Sequence, residues 1–445
     1  MNHVLRPDST PAAPWPRASA CLPPGPDLSP EDQARIWLES PTGLLDLCHR
    51  KYGNIFTLRL GGFGTMAIIA DPEAVRGIFK APPELYECRH FNDSYRYAMG
   101  DNALFVQDGD RHAALKRSLA PGLRADPGAQ AAEIRRVAAA AIDDLDPGAP
   151  VRLRPLLHDV ALRCLLRLVF GNRQEPCDQI LTWFRASVWR DMRAWKPWTA
   201  QSRLHPKLRA LLAAELELRR GAPAPAAPDL LHTLLAARDD AGRPLADAVI
   251  QDQVLMLMIT AGDAVAVAAS WALHRVAADP GLQDRLRAEA AALGPDPDPM
   301  ELAAQPWLSA TCREVLRLHT VLPTVSGRRL TAPITFMGHE LEEGVTLAPC
   351  QHLVHRRADI FEDPVAFRPA RFMDRTYAPH EYFPFGGGRR SCLGTHLAPL
   401  TIKLILTSFL SGGRVSEISS VPPRVVRYGT LLAPEDGFSL EFSRL

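Results

Sequence analysis

The segment 254–273 constrains this chain more than any other: twenty residues, almost wholly apolar, reading VLMLMITAGDAVAVAASWAL. A run this long must be kept from water on every face, and its length alone would let it cross a bilayer. Asp263 sits at its middle. A carboxylate at the bilayer centre costs about 3 kcal/mol on insertion scales, and the flanks carry no lysine or arginine asymmetry. The segment therefore reads as a buried core helix, and the rest of the chain must be large enough to wrap it. With 445 residues it is. Dividing by about 150 residues per domain gives three as a soft prior, with one large domain also open.

Around that helix, lysine plus arginine number 51 against 50 for aspartate plus glutamate, so charge points neither to nucleic acid nor to an anionic membrane surface. Eight cysteines are scattered without a C-x-x-C pair, against a zinc ribbon or disulfide framework and in favour of a reducing cytoplasm. Residues 1–30, with Pro11, Pro14, Pro16, Pro23, Pro24 and Pro26, lack the apolar core of a signal or membrane anchor and read as an extended, poorly ordered arm. Residues 31–445 are left for the folded domain.

Residues 31–52 read as a helix, 55–60 and 66–70 as strands joined through Gly61-Gly62, and Asp71-Pro72 as the start of another helix. Most of the chain from there to Leu318 has leucine and alanine at helical spacing, interrupted by one low-complexity linker at 221–228. From Leu322 to Arg371 short apolar runs are broken by Pro323, Pro333, Gly338, Gly344, Pro349, Pro364 and Pro369, a texture of small strands and an irregular meander. A glycine-rich loop and a last helix close the chain. The fold class is mainly α with minor β.

That loop, FPFGGGRRSCLG at 383–394, is the most informative segment. Three glycines and two arginines ahead of a helix would also suit a phosphate cradle. The G-K-[ST] ending and preceding strand of a nucleotide loop are missing, however. A lone cysteine is most often a small core hydrophobe, which leaves Phe385, Gly388 and Arg390 without a reason. F-x-x-G-x-R-x-C-x-G, filled by Phe385, Gly388, Arg390, Cys392 and Gly394, resembles the heme-binding signature of the cytochromes P-450 at all five defining positions. The resemblance implies Cys392 as axial thiolate of heme b (iron protoporphyrin IX), glycines that let the backbone approach the flat porphyrin, amides that stabilise the sulfur's charge and Phe385 as its shield. A thiolate in this position pushes electron density toward the O–O bond of bound oxygen.

Other segments extend the likeness. Glu314 and Arg317, three apart in a helix at 307–319, share a face and by themselves suggest a surface pair. The family completes such an E-x-x-R with an arginine in P-x-R-F, here Pro369-Ala370-Arg371-Phe372, implying a buried network that fixes the meander. His112 and Lys116, four apart, fill the places of the third-helix residues that face the heme edge, where the family often has tryptophan and arginine. Arg328, ten residues before Gly338, and Arg390 complete the set expected to meet the heme propionates. Each alone would be read as a surface charge. His352 and His355 have no third ligand nearby and read as structural.

In the family, a long distal helix carries (A/G)-G-x-(D/E)-T, whose acid and alcohol organise the proton-carrying water. Here the stretch is Thr260-Ala261-Gly262-Asp263-Ala264-Val265. Aligned on Ala261-Gly262, it would lack both groups. Aligned on Ser270-Trp271-Ala272-Leu273 and Asp279-Pro280 downstream, it makes Asp263 the acid and leaves Ala264 in the alcohol's place. The downstream anchors favour the second alignment, with Asp263 as the acid and Ala264 in the alcohol's place, over the blander alternative of a paired structural acid in the core. A second departure comes after the cysteine: if the last helix starts near Leu393, Pro399 removes an internal hydrogen bond at about 3 kcal/mol.

Taken from about Glu31 to the end, the resemblance implies a single large helical domain with small β-sheets around a buried heme. It also implies a soluble, cytoplasmic, monomeric enzyme of bacterial type without a membrane anchor. The activity implied is monooxygenation: hydroxylation, epoxidation or related oxidation of a hydrophobic small molecule, as in secondary metabolism, with O2 and two electrons from a ferredoxin and its reductase or from a flavodoxin. Peroxide-driven or redox-neutral heme chemistry stays open because of Ala264, and so does a non-catalytic heme sensor or electron carrier. Trp183, Trp189, Trp195 and Trp198, interleaved with Arg185, Arg190 and Arg193, occupy the family's pocket-roof region and hint at a sizeable, apolar substrate, with an acid group as a further option, although such spacing also suits core packing.

Overall fold

The computed structural model describes residues 22–62, 64–191, 198–223, 228–419, 421–435 and 438–444, with backbone alone at 91, 94, 186–191 and 198–205. Prolines set many of its helix starts, because a first-turn residue has no use for its N–H and proline arrives with helical φ. Helix α1 (Pro30–Glu39) opens this way behind Ser29, whose hydroxyl accepts Asp32 N–H. Helix α2 (Pro41–Tyr52) starts one residue after α1's cap, so the helix expected over 31–52 is two helices broken at Ser40-Pro41. Helix α3 (Pro72–Lys80) is capped by Asp71, as its sequence indicates.

Strands β1 (Ile55–Leu60) and β2 (Gly64–Ile69) form the expected hairpin and begin a five-stranded sheet. It continues through β3 (Tyr86–Glu87), β4 (Arg328–Leu330) and β5 (Thr346–Pro349) in the order β1-β2-β5-β4-β3, with only β2 and β5 parallel. Residues 22–29 belong to this region. Thr57 donates its N–H to Pro24 O at 2.9 Å and its hydroxyl to Pro23 O at 2.6 Å. A Cβ on Gly25 would stand 2.0 Å from Thr57 O. The packed chain thus reaches back to Leu22, inside the expected arm.

The helical body is built from α4 (Gly109–Leu123), α5 (Pro127–Asp143), α6 (Leu153–Phe170), α7 (Gln174–Asp191), α8 (Trp198–Arg220), α9 (Leu230–Ala236) and the 31-residue α10 (Asp247–Ala277). The most apolar stretch of α10 is 83% buried inside the protein, which places it in a core. Its Trp271 donates Nε1–H to Leu432 O at 3.2 Å and stacks on His319. Each fully buried leucine, valine or methionine along α10 contributes about 1.5–3 kcal/mol. Helix α11 (Pro306–Leu318) leads into the meander, and α12 (Leu397–Gly412) comes after the cysteine loop. A hairpin, β6 (Val425–Tyr428) and β7 (Leu431–Pro434), turns beside α10.

Candidate active site

The loop 383–394 passes tightly beside α3. Gly386 and Gly388 lie at φ +66° and +65°, a left-handed backbone that a Cβ resists. A Cβ on Gly388 would stand 2.2 Å from Phe79 O, and one on Gly387 2.2 Å from the Phe79 ring. Sequence reasoning explained these glycines by a flat cofactor coming close. In the structure α3 comes close to Gly387 and Gly388, and Gly388 does not line the cavity below.

Cys392 N–H donates to Phe385 O at 3.0 Å, closing the loop. Gly394 N–H donates to Cys392 Sγ at 3.3 Å. The surrounding protein, which screens the thiol from bulk water although it opens on a cavity, pushes its pKa up, opposed by this amide and by Lys116. After a short turn at Leu393–Thr395, α12 starts only at Leu397. Pro399 therefore sits in the first turn, where a backbone N–H would have no intrahelical acceptor, and the hydrogen-bond loss expected from a start near Leu393 does not arise. Of the seven described cysteines six are buried; Cys392 alone is accessible.

It opens onto a cavity of about 1000 Å³, which Phe385, Arg390, Gly394, His112, Asp263 and Ala264 also line. Lys116 and Arg328 stand behind this wall. Lys116, expected at the heme edge, donates Nζ to Ser391 O at 2.7 Å, Ser391 Oγ at 3.0 Å and Arg389 O at 3.0 Å, because the cysteine loop offers its ammonium three acceptors. Arg390 donates to Gln107 O at 2.5 Å and Phe105 O at 3.2 Å. Arg328 is buried, donates to Ser326 O and to Gly387 O, and keeps an Nε–H with no acceptor among the described residues.

Burial and the charges of Arg390, Lys116, Arg328 and Arg389 hold the His112 imidazole neutral, with a pKa lowered to about 3. So concentrated a positive field, beside a buried guanidinium N–H lacking an acceptor, asks for anions. The two propionates of a heme supply them, the cavity has room for its ring, and Cys392 offers the sulfur. The residues present fit the group.

Asp263, also in the lining of this cavity, is buried, and its Oδ1 lies 3.4 Å from His158 Nε2 on α6. Burial raises its pKa, against the pull of His158 and Arg154. Burial resists charge on His158, but Asp263 and Asp159 outweigh it and raise that pKa too. Both shifts favour the protonated form, so the pair retains a proton tightly. Ala264 and Val265 both face the cavity, and Thr260 turns its hydroxyl to Met256 O at 2.8 Å. In either alignment, then, this stretch offers the cavity no free alcohol.

Glu314, Arg317 and Arg371 come together in the interior. Arg317 donates Nε and Nη2 to Glu314 at 2.7 and 2.8 Å, and Arg371 donates Nε at 3.2 Å. Both arginines also bind meander carbonyls, Arg317 those of His355, Pro364 and Ala366 and Arg371 those of Glu362 and Asp363. His355 Nε2 accepts Phe383 N–H at 2.9 Å, and His352 pairs with Asp46. Trp183 packs on the core beneath Lys207 and Arg185 binds Asp159, so neither forms a cavity roof. The side chains of Trp189, Arg190, Arg193, Trp195 and Trp198 lie outside the described residues. Sequence reasoning missed His158 and Phe79, since nothing in their local sequence announces a partner on a distant element.

Comparison with known proteins agrees with this geometry. The family model for cytochrome P-450 matches residues 23–442. The Mycobacterium tuberculosis protein named cytochrome P-450 135B1 is 31% identical over 435 residues, covering 94% of this chain and 91% of its own. The 135A1 protein of the same organism is 30% identical over 388 residues, 84% of each chain. Among solved structures, the retinoic-acid-bound cyanobacterial CYP120A1 superposes with a TM-score of 0.85 at 23% identity, over 96% of this chain and 100% of its own.

Proposed function

The chain belongs to the cytochrome P-450 family, whose cofactor is a heme held by a cysteine thiolate, and from that premise we propose that Cys392 is the thiolate ligand of a monooxygenase acting on a hydrophobic small molecule in the cavity. The observation that carries the reading is a large cavity lined both by the accessible Cys392 and by a buried acid, Asp263. When bound, the heme supplies reductive activation of O2, one atom going to the substrate and the other leaving as water with two protons and two electrons.

The chain's own residues do the rest. Arg328, Arg390 and His112 would hold the propionates of the heme. Lys116 pins the carbonyls of Arg389 and Ser391 and so sets the direction of the cysteine. Glu314, Arg317 and Arg371 fix the meander that delivers the loop. The apolar wall of α10 excludes water, and Asp263 holds a proton at the cavity's edge. Electrons come from separate proteins, a ferredoxin and its reductase or a flavodoxin.

Ala264 favours a particular form of this reaction. With no hydroxyl to hold the proton-carrying water, a hydroxyl or carboxylate on the substrate takes that place, making catalysis substrate-assisted. Turnover with 18O2, ferredoxin and reductase tests the reading: one labelled oxygen in the product supports it. Undiminished turnover on peroxide alone, without electrons, replaces it with the peroxide-driven alternative.

A further inference from the structure

Asp263 can yield protons to the cavity repeatedly only if it is reloaded from solvent, yet its carboxyl is buried. The structure holds a route. His158 Nε2 stands 3.4 Å from Asp263 Oδ1, and the opposite ring nitrogen, Nδ1, faces Asp159 Oδ1 at 3.8 Å. Asp159 Oδ1 is buried and makes no hydrogen bond among the described residues. Its partner oxygen, Oδ2, accepts Arg185 Nε–H at 2.7 Å, and there the chain reaches water: the Asp159 side chain is 24% exposed and that of Arg185 55%.

A plain structural pair would account for Asp263 and His158 alone. It gives no reason for a buried carboxylate oxygen left without a donor and aimed at the far side of the same imidazole. Carboxylate, imidazole and carboxylate in file, from the cavity wall to solvent, are the components of a proton path. Phe184 of α7 stacks beside the ring at 6.4 Å and walls it off on that side. Among the described residues, the charged and titratable groups around His158 are Asp159 and Arg154 on α6, Arg185 on α7 acting through Asp159, Asp263 on α10, and Tyr428 on β6 beyond Asp263.

We propose that Asp159 and His158 form the proton inlet of this protein, reloading Asp263 from solvent. A proton taken up at Asp159 passes to His158 Nδ1 while the Nε2 proton passes to Asp263 Oδ1. The imidazole ends neutral with its proton on the other nitrogen, resets before the next transfer, and no electron moves. The 3.8 Å step is closed by a rotation of the part-exposed Asp159 or by one intervening water. The purpose of the path rests on the monooxygenase reading; its existence is testable without turnover.

The test tracks the carboxylic C=O stretch of Asp263 in the heme-loaded protein by infrared spectroscopy, with the band identified by its loss in Asp263→Asn. After mixing into D2O, the isotope shift of this band times the arrival of solvent deuterons. Asp159→Asn and His158→Gln should each slow that shift at least tenfold while the reduced carbonyl spectrum stays unchanged. Asp159→Asn changes only a part-exposed side chain, so it keeps the test alive should His158→Gln fail to load heme. Exchange as fast as in the parent protein, or no protonated Asp263 band at any pH the fold tolerates, overturns the proposal. A parent protein that exchanges through this path yet inserts no oxygen from O2 would instead overturn the monooxygenase reading and leave the inlet standing.

Discussion

Replacing Glu314 by alanine probes the framework that delivers the cysteine loop. Glu314 is fully buried and accepts four hydrogen bonds: two from Arg317, one from Arg371 and one from the Arg368 backbone N–H at 2.8 Å. Glu314→Ala leaves two guanidinium charges buried beside an empty site. Breaking a buried pair from one side costs about 3–5 kcal/mol. Here both arginines keep carbonyl partners, which soften but do not neutralise the stranded charge, so we take about 4 kcal/mol. At about 2.1 cal/mol/K per residue, a chain of 445 residues has an unfolding entropy of about 0.9 kcal/mol/K at its midpoint. The expected fall in Tm is then about 4 °C, with a lower yield of heme-loaded protein. Thermal unfolding monitored at the heme band measures it. The exposed pair Arg368–Glu362 serves as control, because a surface ion pair is worth at most about 1 kcal/mol; Glu362→Gln should shift Tm by no more than about 1 °C. A Glu314→Ala variant as stable and heme-loaded as the Glu362→Gln control would refute the reasoning.

Ala264→Thr should restore coupling of electrons to product for a substrate analogue lacking the assisting polar group more than for the substrate itself; equal gains for both would make the missing alcohol a plain defect. Pro399→Ala should change stability by less than about 1 kcal/mol, because the proline occupies a first-turn position. Gly388→Ala should cost more than the about 1–2 kcal/mol of left-handed backbone alone, since its Cβ also meets Phe79 O, and denaturant midpoints of the pair compare the two. His355 is held neutral by burial and by Arg317, its pKa well below the ordinary value. The unfolded chain therefore takes up a proton near pH 6.5 that the folded one refuses, and stability falls by about 1.4 kcal/mol per pH unit below that point. His355→Asn should remove one proton from this slope in denaturant titrations between pH 6.5 and 5; an unchanged slope would count against a neutral His355.

Much of the helical fold is legible because its signals are local: the twenty-residue apolar run, aspartate-proline helix starts, and the proline and glycine punctuation of the meander. The cysteine loop is legible for a different reason, that five residue types at fixed spacing leave few other readings. Misreadings arise where a partner is remote. Ser40-Pro41 breaks what looks like one helix, a short turn delays α12 past Pro399, and the approach of Phe79 to Gly387 and Gly388 has no local sequence signal. His158 and Asp159 carry no motif at all. They become visible only when α6 is laid against α10, since what matters about them is a distance to Asp263 that sequence spacing does not encode.

The reduced carbonyl spectrum of the purified protein tests the central claim most directly. With Cys392 as thiolate ligand, the protein should be red and its ferrous carbonyl complex should show the strongly red-shifted band of a thiolate heme. Cys392→His should abolish that band even where heme is retained. A parent protein without the band, or a Cys392→His variant that keeps it, would contradict the account.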